Sequence, residues 1–256
     1  TENFSLDIKI GGGLGYIEKP FDLKDNRKNI AIGSKLNQAI VFALNSRWDI
    51  NEKFKVSTGI KYTHMSNGAF KKPNLGINVP SVHLGLFYNV NGAIEEKESR
   101  DSSSTPFQYD RSWNYTIIGG TGLKEKSKSI QRKFWAFTLT GEAQKRIGPK
   151  TKWLNGIDLF YNETIRFRLN NKDNAIDNNI ESMQIGGKTG IALMINKIDF
   201  LIQMGYYLYS KINFPLNVYH RAGIRYQIND RLLFNFSLKT HWAKADHVEI
   251  GLGYNF

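Results

Sequence analysis

Apolar and polar residues alternate with a period of two in segment after segment of this chain, the pattern of a β-strand with one face in an apolar medium. In the stretch 54–66, Phe54, Val56, Thr58, Ile60, Tyr62, His64 and Ser66 share one face, and Lys55, Ser57, Gly59, Lys61, Thr63 and Met65 the other. The last segment repeats this, with Val248, Ile250, Leu252, Tyr254 and Phe256 against Glu249, Gly251, Gly253 and Asn255, as does Leu232, Phe234, Phe236 and Leu238 against Arg231, Asn235, Ser237 and Lys239. Such segments number about twelve, at roughly 4–17, 37–50, 54–66, 79–91, 107–123, 131–146, 152–167, 184–195, 198–211, 216–227, 231–243 and 247–256. Short connections at Asn51-Glu52, Asn196-Lys197 and Asn229-Asp230 alternate with longer ones at 18–36, 67–78 and 169–183, as tight turns alternate with long loops on the two sides of a membrane barrel. The long polar stretch 92–106 falls on the tight-turn side and breaks that alternation. With no sequence repeat and no helix of convincing length, the pattern predicts an all-β fold: one transmembrane antiparallel up-and-down β-barrel of about twelve strands over residues 1–256. In it the apolar alternate residues face outward, while Lys55, Lys61, Lys239 and Glu249 face the lumen.

Composition agrees with strands and narrows the partners. The chain has 256 residues, with 13% aromatics, 23 Gly and only 6 Pro. Its longest unbroken apolar run, Ala39 to Leu44, is far short of the ~20 residues a spanning helix needs. Mean hydropathy is −0.42, which a membrane barrel also shows, because its strands average lipid-facing and lumen-facing residues. A formal charge of +12 points to an acidic or phosphorylated partner. The Lys and Arg residues are scattered, with no nucleic-acid-binding motif, so no nucleic acid is expected; a phosphorylated glycolipid at a membrane surface uses the same charge. There is no Cys, so disulfides and thiolate chemistry are excluded, and no spacing among the five His suggests a metal site. No secretory leader precedes Thr1, as expected of a mature exported chain or of one that is not exported. The glycine run at 11–15 lacks the Lys-Ser/Thr ending of a phosphate loop and reads as a place for curvature. Trp48, Trp113, Trp153 and Tyr161 are expected in interfacial girdles.

Candidate chemistry concentrates in residues 64–78, His-Met-Ser-Asn-Gly-Ala-Phe-Lys-Lys-Pro-Asn-Leu-Gly-Ile-Asn. His64 and Ser66 have the identities of a general base and the nucleophile it activates, and Asn67 that of an oxyanion donor. In a regular strand they sit roughly 7 Å apart on one face, so their contact requires a bend at Ser66. The turn formers Asn67-Gly68 and Pro73-Asn74 supply the means. By parity both residues lie on the apolar face, within reach of an ester in a membrane lipid. The bland alternative is that they occupy the wet end of a strand in the headgroup zone. His83, His241 and Lys239 are expected in the lumen by the same parity, and His220 and His247 near strand ends.

His64, Ser66, Asn67, Lys71, Pro73, Asn74, Gly76 and Ile77, taken without a gap, resemble the active-site segment of the PagL-type lipid A 3-O-deacylases, which are outer-membrane β-barrel esterases. The final strand ending in Phe256 similarly resembles the assembly signal of bacterial outer-membrane barrels. The resemblance implies a serine esterase in the bacterial outer membrane that removes an ester-linked acyl chain, the 3-O chain, from lipid A of lipopolysaccharide. It implies Ser66 as nucleophile, His64 as base, and Asn67 with Gly68 as oxyanion donors; no cofactor and no metal are needed. Asn78 stands where that family has the glutamate that orients the histidine, with Asp22 or Asp25 as the carboxylates to consider otherwise. Outer-membrane lipid is the expected surrounding, and the oligomeric state is left open. The rival readings are a non-catalytic barrel, porin-like or structural, in which the motif has decayed, and more distantly a soluble lipid-binding barrel.

Overall fold

A computed structural model describes residues 3–90, 109–170, 182–212, 214–242 and 244–256. Among these residues twelve antiparallel strands lie close to where the alternation places them, β5 running later than the expected 107–123: β1 (Phe4–Tyr16), β2 (Leu36–Asp49), β3 (Phe54–Ser66), β4 (Ile77–Tyr88), β5 (Trp113–Ser127), β6 (Ile130–Gly148), β7 (Thr151–Asn162), β8 (Met183–Ile195), β9 (Ile198–Tyr209), β10 (Val218–Gln227), β11 (Leu232–His241) and β12 (Lys244–Asn255). The segment expected as strand through residue 167 ends at Asn162, where the helix α1 (Glu163–Asn170) begins. Asn162 Oδ1 accepts the Thr164 N–H at 3.1 Å and the Thr164 hydroxyl at 2.7 Å, which caps the helix and stops the strand. The polar connection 92–106 and most of 169–183 lie outside the described residues.

The twelve strands do not close one ring. β5 to β12 form a closed eight-strand barrel in sequence order, β12 pairing with β5, and β1 to β4 form a separate four-stranded sheet in the order β1-β2-β3-β4. This corrects the single barrel of about twelve strands. Alternation identifies a strand and its faces but carries nothing about which strand it pairs with. The closing seam depends on small residues: a Cβ at Gly251 would lie 2.3 Å from the Gly119 carbonyl oxygen, so β12 and β5 approach closely there. By contacts the chain divides into two compact units, Thr1–Asn67 with Pro73–Thr105, and Gly68–Lys72 with Pro106–Phe256.

In the barrel the apolar alternates point outward. Phe137, Leu139, Phe200, Ile202, Ile250 and Leu252 are exposed, Leu252 by 63%. Phe234 also lies on the outer face, opposite Leu252. Aromatic pairs mark both ends, Trp113 with Trp153 (6.0 Å) and Tyr254 with Phe256 (5.1 Å) at one, Trp135 with Phe137 (5.8 Å) and Phe137 with Tyr161 (6.3 Å) at the other. That is the exterior of a membrane barrel, and among the described residues no helix is long and apolar enough to cross a membrane. The interior is charged and closed. Glu142 binds Arg225 (2.5 Å) and Lys188 (3.0 Å), and Arg221 bridges Asp158 (3.2 Å) and Glu249 (2.7 Å). Lys239 sits 3.3 Å from the centre of the Phe160 ring. The space left among Thr138, Lys188, Arg221, Arg225 and Glu249 is about 10 Å³, room for one water at most. Lys239 and Glu249 thus face the lumen as expected, and His241 lies beside them, Nε2 2.8 Å from the Tyr207 hydroxyl.

The four-stranded sheet has one apolar face, where Ile8, Ile10, Phe42, Ile60, Val82 and Leu84 are exposed, and one polar face. Lys55, Lys61 and His83 are on the polar face, but this sheet does not close, so the expectation that they line a lumen is corrected. Lys55 pairs with Asp49 at 3.0 Å, and the His83 ring covers Gly59.

Candidate active site

The β3–β4 register sets His64 directly opposite Asn78. His64 Nδ1 donates to Asn78 Oδ1 at 2.6 Å. A carbonyl oxygen only accepts, so the proton of the neutral imidazole resides on Nδ1 and Nε2 presents its lone pair. The chain reaches this position through Gly76, whose φ of +84° few side chains tolerate. A Cβ there would sit 2.4 Å from His64 Cε1 and 3.1 Å from Nε2, so the absence of a side chain is what lets the loop pass over the ring.

Ser66 ends β3 opposite Gln38, on the same face as His64, and is 7% exposed. Among the described residues no hydrogen bond joins Ser66 Oγ to His64; the strand stays regular through Ser66, and the bend follows it. Gly68 (φ 60°) and Ala69 (φ 66°) are both left-handed. The structure therefore joins His64, the candidate base, to Asn78 and leaves Ser66, the candidate nucleophile, one strand repeat away. Catalytic hydrogen bonds are commonly longer in unliganded sites than with substrate bound.

The residue expected as an oxyanion donor, Asn67, is committed to the architecture of the loop. Its N–H donates to Asn74 Oδ1 (2.8 Å) and its Nδ2 to Ser34 Oγ (2.8 Å). Ser34 Oγ in turn donates to Asn37 Oδ1 (2.9 Å), and Asn37 Nδ2 returns to the Ser34 carbonyl (2.9 Å). The connection 18–36 is thereby stitched to the motif: Ile32, fully buried, bridges Asn74, and the Ala31 carbonyl accepts the N–H groups of Leu75 (2.9 Å) and Gly76 (3.1 Å). Ser34 and Asn37 were not singled out by sequence, because nothing local marks a loop serine that meets a residue 33 positions away. Of the alternative carboxylates, Asp22 accepts the backbone N–H groups of Lys24 (2.7 Å) and Asp25 (3.1 Å), closing its own turn.

Gly68 to Lys72 belong with the barrel. Gly68 packs where a Cβ would fall 2.4 Å from Val248 Cγ2, and Ala69 is buried. Glu125 donates its N–H to the Ala69 carbonyl (3.0 Å) and accepts the Lys72 N–H on Oε2 (2.8 Å). Burial, and next the nearby Lys244 ammonium, hold the Lys72 side chain below the usual lysine range. Among the described residues no group of three or more His, Asp or Glu side chains is arranged to hold a metal ion.

The lipid A 3-O-deacylase (PagL) family model matches residues 1–87, which contain the whole His64–Asn78 segment, and the acyloxyacyl hydrolase C-terminal domain model matches residues 111–256. The chain belongs to the PagL family. Lipid A is the substrate of a PagL protein, and its activity is deacylation, an ester hydrolysis. No curated protein matches the chain. Among solved structures it is similar to a de novo designed transmembrane β-barrel (13% identity, 58% of this chain and 98% of that one, TM-score 0.35). It is also similar to a mutant Rh. blastica porin (9%, 99% and 100%, TM-score 0.24) and to the P. putida toluene transporter TodX (10%, 98% and 78%, TM-score 0.25). At these TM-scores the likenesses carry no argument about function.

Proposed function

We propose that this PagL protein works as a serine esterase of the bacterial outer membrane, with β1–β12 acting as one domain and the 3-O chain of lipid A as the acyl group it removes. The observation that carries the reading is the 2.6 Å bond from His64 Nδ1 to Asn78 Oδ1, which aims an unprotonated Nε2 away from the orienting residue. Ser66 Oγ attacks the ester carbonyl while His64 Nε2 takes its proton, and the imidazolium then gives that proton to the departing sugar oxygen. Water, deprotonated by His64, hydrolyses the acyl-serine in the second half. Asn67 has its N–H and one amide hydrogen engaged by Asn74 and Ser34, so the oxyanion role falls first to the Gly68 N–H, with Asn67 holding the turn that presents it. The placement of His64 and Ser66 on the apolar face, in line with Ile60 and Tyr62, suits a substrate whose ester is embedded at the membrane surface.

The porin-like alternative is disfavoured by the ion pairs that cross the barrel interior among Glu142, Arg225, Lys188, Arg221, Asp158 and Glu249. Expressing the chain in a lipopolysaccharide-producing host and weighing the lipid A by mass spectrometry tests the proposal. Loss of one hydroxyacyl chain is expected with the wild type and no loss with Ser66→Ala. An unchanged lipid A with a correctly folded wild-type barrel would leave only the non-catalytic reading.

A further inference from the structure

The cations inside the eight-strand barrel are not all matched. In its middle each has a carboxylate: Arg225 and Lys188 share Glu142, and Arg221 bridges Asp158 and Glu249. Two residues along β6 from Glu142 comes Gln144, and two along β10 from Arg225 comes Gln227, both toward the tight turns. There the inward side chains open onto a cavity of about 550 Å³, the size of a small-ligand site, whose walls include Gln144, Arg146, Lys152, Gln227, Arg231 and Asn255. Lys152 is matched by Asp199 at 2.7 Å. Arg146 and Arg231 have no carboxylate at ion-pair distance among the described residues. Asp230 lines the cavity and Asp110 lies within electrostatic reach of Arg146, so both reduce the positive excess without occupying these donors.

The free donors converge. Arg146 Nε is buried and has no acceptor, and a buried charged donor left unmade is costly unless an acceptor arrives from outside the protein. The β6–β7 register shifts between Arg146 and Gly148, a bulge that re-aims the side chain at the end of its strand. Arg231, just before β11 and three strands away round the ring, meets among the described residues only the Tyr254 hydroxyl, at 3.4 Å. Gln227 Oε1 accepts from Asn255 Nδ2 at 3.4 Å, which leaves Gln227 Nε2 to donate into the cavity. Two guanidinium forks and an amide suit a group with three terminal oxygens better than the two of a carboxylate. The outward pairs Trp113–Trp153 and Tyr254–Phe256 belong to this same end and hold it at headgroup level.

We propose that this mouth of the barrel binds a phosphate monoester: Arg146 and Arg231 grip its oxygens, Gln227 Nε2 donates to a third, and the amides of Gln144 and Asn255 line the room for the group that carries it. The site stands on the barrel alone and does not rest on the deacylase reading. A lipid headgroup and a soluble phosphate ester share this chemistry, and the experiment separates them.

The full chain is folded in a phosphate-free detergent, with folding scored by the heat-modifiable gel shift. Glycerol 3-phosphate is titrated by calorimetry, and phosphatidic acid, against phosphatidylcholine as control, is counted on the barrel by native mass spectrometry. Saturable binding of one equivalent is expected. Arg146→Gln and Arg231→Gln are each expected to weaken it at least about tenfold, the equivalent of one charge-assisted hydrogen bond. Arg146→Lys keeps the charge without the fork and is expected to recover only part of the affinity. Lys150→Gln removes the same charge from the neighbouring turn, outside the cavity lining, and is expected to bind as wild type. Binding of glycerol 3-phosphate assigns a soluble ligand, and binding of phosphatidic acid alone assigns a lipid; either supports the site. Saturable binding of neither overturns it, as does a Lys150→Gln loss equal to that of Arg146→Gln, which would mean diffuse charge. Should Arg146→Gln not fold, Arg231→Gln, at an exposed position outside the strands, decides on its own: wild-type affinity there overturns the proposal. Neither measurement reads deacylation, so failure here and failure of the esterase assignment are distinct.

Discussion

At the scale of single residues, the site turns on one amide and one missing side chain. Asn78 accepts the Nδ1 proton and so selects the imidazole tautomer, but a neutral amide cannot stabilise the imidazolium as a carboxylate does. Asn78→Ala is therefore expected to lower kcat by about a hundredfold, the lower end of what general-base catalysis supplies, and Asn78→Glu to preserve or raise it. Steady-state deacylation rates of the two variants decide the matter: Asn78→Ala at wild-type rate would remove Asn78 from the site. Gly76→Ala faces both a φ of +84° and a Cβ 2.4 Å from His64 Cε1. It is expected to displace the ring and reduce activity more than it reduces folding, read as kcat against the folded fraction.

At the scale of elements, β3 and β12 show how much one alternation determines. In β12, Glu249 is buried in the lumen and its neighbour Ile250 is half-exposed on the outer face, so substitutions at adjacent positions meet opposite media. Ile250→Arg is expected to cost about 2–4 kcal/mol in lipid vesicles and Ile250→Leu almost nothing, as read by urea titration of the folded barrel. Equal stability of the two would mean that this face does not meet lipid. The same alternation put His64 and Ser66 on one face of β3 and located most strands to within about three residues, β5 (expected at 107–123) and the end of β7 (expected at 167) being displaced further. It missed α1, because Glu163 to Phe167 follow a cap, Asn162, whose action depends on a side-chain bond that no apolar period records.

At the scale of the whole molecule, the barrel of β5 to β12 is held closed inside by charge. Glu142 lies between Arg225 (2.5 Å) and Lys188 (3.0 Å), and also accepts from Gln203 (2.7 Å). Removing it takes the carboxylate from buried Arg225 and leaves Lys188 the longer contact to Asp158 (3.5 Å), so Glu142→Leu is expected to destabilise the barrel by about 3–5 kcal/mol, measured by urea unfolding in vesicles. A change under 1 kcal/mol would mean water reaches these cations. The network also blocks the middle of the eight-strand interior, where the space among Lys188, Arg221, Arg225 and Glu249 is about 10 Å³.

The sequence by itself determined the strands, their faces and the segment from His64 to Asn78, whose two ends β3 and β4 set opposite each other. Those features are local: alternation, turn formers and a contiguous motif are each complete within a stretch of about fifteen residues or fewer. Tertiary structure alone decided that β12 closes on β5, leaving β1 to β4 as their own sheet, and that Ser34, itself bonded to Asn37, meets Asn67 of the motif. Strand partners and such supports are chosen by contacts between residues distant in sequence: Ile250 opposite Thr121, or Glu125 beneath Lys72. The free energy of those contacts depends on what the fold brings together, and no periodicity along the chain encodes it.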